Sequence, residues 1–121
     1  MKENILLEKS KEFALMSVEL YKYLISKQEF VLSKQFLRSA TSVWANIHEA
    51  VSAQSKKDFF AKICIAYKEA NESEYWLWLI EASQLVSPLD ISKEKALCKE
   101  IIKMLAKTKI TTEKNIAFDD H

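Results

Sequence analysis

The side chains in this sequence that could do chemistry are carboxylates, two histidines, two cysteines and a row of lysines. A di-iron centre in a helical bundle needs Glu-x-x-His on two helices and a Glu from each of the others. Three residues ahead of His48 and His121 stand Ala45 and Phe118, so that pattern is missing. His48 reads instead as a flank residue beside an apolar stripe. Serines, cysteines and histidines occur, but with no nucleophile elbow and no base paired to a nucleophile. Glycine is absent, so no phosphate-cradling loop can be built. Cys64 and Cys98 lack metal or redox spacing and read as small buried hydrophobes. Glu69, Glu72 and Glu74 lie close together, as solvated carboxylates on a helix surface do. These residues point to no enzyme, no cofactor and no metal.

Two other patterns suit binding. Lys95, Lys99, Lys103 and Lys107 step by four, opposite the apolar stripe of their segment. Between residues 93 and 109 there are six lysines against Glu94 and Glu100. Such a ridge can contact phosphates. Arg38 is the one arginine, so recognition of RNA would follow shape and depend on salt rather than read base edges. The second pattern is Arg38, Ser42, Asn46 and Glu49. On a helical wheel this stripe lies roughly 150° from the apolar one. It points away from the core, as a solvated face, a subunit interface or a ligand-facing surface would.

Helices must carry both patterns. Phe36, Ala40, Val43, Ile47 and Ala50 recur at steps of three and four, with Leu37, Trp44 and Val51 widening the stripe. Ser55 stands three residues ahead of Asp58, a helix-start arrangement in which each side chain can satisfy a free backbone N–H. Phe59, Ile63, Ala66, Ala70, Ser73, Leu77 and Ile80 then alternate steps of four and three. The middle of this seam is small, which lets a neighbouring helix come close. Tyr75 to Ile80 is six apolar residues in a row; at ~100° per residue they cover every side of a helix. One core stripe cannot bury them all.

Before this pair, Leu6, Phe13, Met16, Leu20 and Leu24 mark a first helix over about 4–27. Phe30, Val31 and Leu32 are expected to cover the bundle end before Ser33 opens the second helix. That helix spans 33–52, and the third spans 56–86, stopped by Ser87 and Pro88. Leu89 and Ile91 are expected to plug the core, with Asp90 or Ser92 capping a fourth helix over 91–110. Its stripe is Leu97, Ile101, Met104, Leu105 and Thr108. Residues 111–121 show no period and read as a frayed tail.

Residues 1–121 therefore read as a single all-α domain, an antiparallel up-down-up-down four-helix bundle with short links. The absence of glycine and the single proline, Pro88, fit this. Hydrophobic content of 49% and charged content of 29% are those of an ordinary soluble globular domain. A net charge of +1 gives no general pull towards nucleic acid or membrane. No apolar run approaches the ~20 residues that cross a bilayer. The start, MKENILLEKSKEF, lacks a signal peptide's apolar core, so a cytoplasmic location is the default.

The run Arg38-Ser-Ala-x-Ser-Val-x-Ala-Asn46-Ile-x-Glu49-Ala resembles the four-helix-bundle family encoded in intervening sequences of bacterial large-subunit (23S) ribosomal RNA genes. So do Ser55-Lys-Lys-Asp-Phe59 and Ala66-x-Lys-Glu-Ala-x-Glu72-x-x-Tyr75-Trp-Leu. The likeness covers about two-thirds of the chain and is densest from Arg38 to Leu77. It implies a left-handed bundle that assembles as a ring, commonly a homopentamer, with a role in RNA or nucleic-acid association. A more distant branch serves as the strongly basic accessory subunit of retroelement reverse transcriptases. This chain departs from that branch in its balanced charge. It departs from the main pattern at Trp44, where a small residue or proline is usual, and at Ala50, where glycine is usual. The resemblance gives weight to Arg38, Ser42, Asn46 and Glu49. Joined by Trp76 or Trp78, they are the expected subunit interface. The expected function is that of a non-enzymatic homo-oligomeric scaffold or a protein that associates weakly with RNA or other nucleic acid. The alternative is a protein–protein adaptor that serves a nucleic-acid enzyme.

Overall fold

The computed structural model describes residues 2–119. It contains four helices, α1 (Lys2–Ser26), α2 (Leu32–Val51), α3 (Lys56–Ser83) and α4 (Ser92–Asp119), and no strand among the described residues. Each helix packs on its sequence neighbours, α1 closes on α4, and the diagonal pairs stay apart. That is the expected up-down-up-down arrangement.

The buried positions explain the geometry. On α1 they are Leu6, Ser10, Phe13, Ser17, Leu20 and Leu24; on α2, Ser33, Phe36, Ala40, Val43, Ile47 and Ala50. On α3 they are Ile63, Ala66, Ala70, Ser73, Leu77 and Ile80, and on α4 Cys98, Ile101, Leu105 and Thr112. Steps of three and four alternate, so the seams repeat below the 3.6 residues of a straight helix, the period of a left-handed supercoil. Four buried serines interrupt the apolar stripes of α1 and α2. Each except Ser33 donates its hydroxyl to a carbonyl three residues back in its own helix: Ser10 to Leu7 at 2.9 Å, Ser17 to Ala14 at 2.6 Å and Ser39 to Phe36 at 3.1 Å. Small side chains with their hydroxyls already satisfied let helices approach closely without an orphaned polar atom.

The α1–α2 link works differently from the expected end plug. Phe30 and Val31 are 60% and 72% exposed, while Leu32 packs against the core. Glu29 is the organising residue. Its buried carboxylate accepts from the backbone N–H groups of Val31 (2.8 Å), Leu32 (3.1 Å) and Ser33 (2.9 Å). The Ser33 hydroxyl donates back to the Glu29 carbonyl at 2.8 Å. One side chain thus satisfies the donors that the first turn of α2 leaves free, and its negative charge suits the helix N-terminus. At α3 the Ser55 hydroxyl accepts from Asp58 N–H at 3.0 Å, as its spacing predicts. Asp90 accepts from Ser92 N–H at 3.0 Å before α4, which holds its carboxyl below the usual range.

Three features differ from the sequence expectation. First, α3 ends at Ser83 rather than near 86. Gln84 takes the left-handed conformation at φ 53°, so the helix stops before Pro88 can act. Gln28 does the same after α1, at φ 67°. Second, α4 continues to Asp119, and 111–119 is not a frayed tail. No proline or glycine interrupts it. Thr108 and Thr112 carry the seam on as small residues, and the Thr112 hydroxyl donates to the Thr108 carbonyl at 2.7 Å. Asp120 and His121 lie outside the described residues. Third, the cysteines part company: Cys98 is fully buried, Cys64 only half-buried. Ile91 does plug the core, with Leu89 packed against it.

Trp44 packs edge-on to His48, ring centroids 6.2 Å apart, and its buried indole N–H has no hydrogen-bond partner among the described residues.

Two substitutions test this account by urea unfolding at fixed protein concentration. Glu29→Ala removes the cap from three backbone donors, that of Ser33 buried, and is expected to cost about 2 kcal/mol. Gln84→Gly relieves a left-handed conformation that a Cβ disfavours and is expected to add about 1 kcal/mol.

Candidate interaction surfaces

The Arg38 stripe lies along the flank where α2 meets α3. Arg38 pairs across the helices with Glu69, at 3.4 Å, and with Glu72. The Glu69 side chain is only 13% exposed. Glu69 and Glu72 are therefore not simply solvated: they share one guanidinium, while Glu74 lies apart from them by Trp78 and Lys99. Trp76, a turn beyond Glu72, donates its indole N–H to the Glu72 carboxylate at 3.3 Å. Lower on the flank, Lys62 of α3 reaches Glu49 at 3.5 Å. Between these, Asn46 donates its side-chain amide to the Ser42 carbonyl at 2.9 Å and lies 3.1 Å from the Ser42 hydroxyl. Arg38 and Glu49 thus have partners within the chain, and the stripe faces sideways along α3 rather than away from the bundle. The wheel placed it off the core correctly but could not show which helix stood beside it.

The tryptophans separate. Residues two apart on a helix differ by about 200°, and Trp76 joins the Arg38 flank while Trp78 faces the other side. Trp78 and Tyr75 line a shallow groove with Asn71 and Glu74 of α3 and Lys95 and Lys99 of α4. Tyr75 spans both regions, its ring edge-on to Trp76 with centroids 4.8 Å apart. The six apolar residues resolve in the same way: Leu77 and Ile80 enter the core, Trp76 and Leu79 are half-buried, and Tyr75 and Trp78 stay exposed.

The lysine row also turns. Each step of four advances about 400°, so Lys95 to Lys107 sweeps about 120° around α4. Lys95 pairs with Glu81 at 2.7 Å, Lys99 lies by Trp78, and Lys103 is exposed. Lys107 lines a cavity at the far end of the bundle. Lys109, outside the row, sits over the Tyr67 ring at 5.2 Å. The ridge is a spiral rather than a straight rail; Lys99, Lys103 and Lys107 are exposed and outside the ion pairs formed among the described residues, and Lys95 is not.

The buried cysteine is held as the thiol. Burial, helped by the nearby Glu74 charge, pushes the Cys98 thiol up to about 12. Its sulfur lies 3.4 Å from the Ala70 carbonyl oxygen. No group of three or more His, Cys, Asp and Glu among the described residues is placed to hold a metal ion. None of the helices is long and apolar enough to cross a membrane.

These features can be set beside known proteins. Residues 2–107 match the family model of the 23S rRNA-intervening sequence protein. A crystal structure of a protein of unknown function from the S23 ribosomal protein family of Bacteroides thetaiotaomicron superposes with a TM-score of 0.85 at 46% identity. The likeness covers 90% of this chain and 98% of that one. No curated protein matches. The chain belongs to the 23S rRNA-intervening sequence protein family.

Removing the guanidinium leaves the sheltered Glu69 carboxylate beside Glu72 with no cation. Arg38→Ala is expected to destabilise the fold by about 1 kcal/mol. Adding Glu69→Gln and Glu72→Gln is expected to restore part of that loss in the same denaturation assay.

Proposed function

We propose that this member of the family is a non-enzymatic, homo-oligomeric scaffold that associates weakly with structured RNA. The observation that carries the reading is the exposed apolar surface of α3. Tyr75 and Trp78 are 53% and 61% exposed, and Ile65 is 42% exposed, on a helix already packed between two neighbours. Single exposed apolar residues are ordinary, but two large rings within one turn favour a covering partner. Aromatic residues are also enriched where subunits meet. A second copy of the chain is the partner that fits a ring assembly. The interface would wrap around α3, from Arg38, Ser42, Asn46, Glu49 and Trp76 on the α2 side, across Tyr75, to Trp78 on the α4 side.

RNA association rests on the middle of the α4 spiral. Lys99 and Lys103 offer exposed cations, and Lys95 and Lys107 extend the track at either end. One subunit would hold few phosphates. Repetition around a ring makes such contacts multivalent, and weak contacts then add. The binding would weaken as salt rises, because each phosphate contact releases counterions. The non-enzymatic part of the reading is supported by a buried Cys98 held as the thiol and by a sequence without glycine, which offers no nucleophile elbow.

Light scattering on a sizing column tests both halves, with and without structured RNA, at roughly 50 and 200 mM salt. The expected result is a ring-sized particle that takes up RNA only at the lower salt. Asn46→Ala with Glu49→Ala is expected to lower its mass. Lys99→Ala with Lys103→Ala is expected to lose RNA at unchanged mass. A monomer, or an unchanged mass in the first variant, rejects the interface. A ring that ignores RNA at low salt rejects the RNA half and leaves a protein–protein adaptor.

A further inference from the structure

At the end of the bundle where α1 begins and α4 finishes, the core opens into a cavity of about 490 Å³. It arises where the packing layer becomes small. Ala50 of α2 and Thr108 and Thr112 of α4 line it, at positions in the seam where other layers hold Phe, Leu or Ile. Both threonine hydroxyls are already bound within α4, Thr108 to the Met104 carbonyl at 2.9 Å and Thr112 to the Thr108 carbonyl at 2.7 Å. Neither adds a free polar group to the pit. The remaining floor is hydrocarbon and thioether, from Leu6, Phe59, Ile63 and Met104.

The mouth has the opposite character. Lys107, Thr111 and Asn115 also line the cavity, step by four along α4 and are exposed. They make a short rail of one cation, one hydroxyl and one amide along the α4 edge, and Lys56, at the start of α3, lines the cavity as a second cation. Lys107 makes none of the ion pairs formed among the described residues. Thr111 and Asn115 follow residue 107, where the family match ends.

This polarity selects a ligand class. A wholly apolar molecule would leave the rail unused. A polyphosphate would meet two lysines at most, Lys56 and Lys107, and would desolvate against hydrocarbon. An apolar body with one anionic head satisfies both halves. The volume holds on the order of 16 water-sized groups at ~30 Å³ each, within the range of small-molecule sites. We propose that the cavity binds a small amphipathic monocarboxylate, its alkyl or aryl body in the pit and its carboxylate on Lys107, Thr111 and Asn115.

Decanoate is the probe, titrated into the full chain by calorimetry, with decanol as the uncharged control. The expected result is saturable one-site binding of decanoate, with decanol weaker by roughly tenfold, the effect of one charge-assisted contact. Lys107→Glu is expected to weaken decanoate by at least that factor and leave decanol unchanged. Met104→Trp, which fills the pit, is expected to abolish both. Absence of saturable decanoate binding overturns the proposal. So does binding that Lys107→Glu leaves unchanged; that exposed substitution decides the matter even where Met104→Trp fails to fold.

Discussion

The bundle depends on how close two helices can come to α3. Ala66, Ala70 and Ser73 occupy the middle of its seam with almost no side-chain bulk. On one side the Ser73 and Ser39 hydroxyls lie 2.9 Å apart, joining α3 to α2. On the other the Cys98 sulfur reaches the Ala70 carbonyl oxygen at 3.4 Å, joining α3 to α4. A larger side chain at either point would push a neighbour outward and open the whole square, since packed interiors accommodate little added volume. The flank network of Arg38, Glu69, Glu72 and Trp76 exists only because α2 and α3 are held at this spacing.

A chain with no glycine must end its helices by other means. It places glutamines at two left-handed positions, Gln28 and Gln84, each just past a helix end. It then starts α2 with a glutamate reaching in from the loop. Glu29 and Gln28 are adjacent, so the same short link both terminates α1 and initiates α2. Side-chain carboxylate chemistry supplies there what backbone freedom supplies in other turns.

Much of the fold was legible in the sequence, because heptad-like spacing of apolar residues has few physical readings. The seam of α3 was legible in full. That of α1 was not, because Ser10 and Ser17 read as polar although their hydroxyls fold back onto the helix. The same discount hid the last turns of α4, where Thr112 continues the seam beyond Thr108. Glu29 escaped notice because cap signatures favour Ser, Thr, Asp or Asn at the boundary itself. The surface was less legible. A wheel gives an angle from the core, not the identity of the neighbour, so the partners of Arg38 and Glu49 could not be read. The parting of Trp76 from Trp78 was available from spacing alone, since residues two apart cannot share a face. The cavity could not be seen at all: a void is a property of four segments together.

The closure of α1 on α4 has a kinetic meaning. The other three contacts join helices that are consecutive in the chain, so each can form as a hairpin with a short loop. The α1–α4 seam, tied by Lys9 and Glu100 at 2.8 Å, joins opposite ends of the sequence. Its loop-closure entropy is the largest in the molecule unless the three hairpins form first, because they carry α1 and α4 to each other's side. The order of assembly is thereby written into the topology, with this seam the last to zip and the first to part.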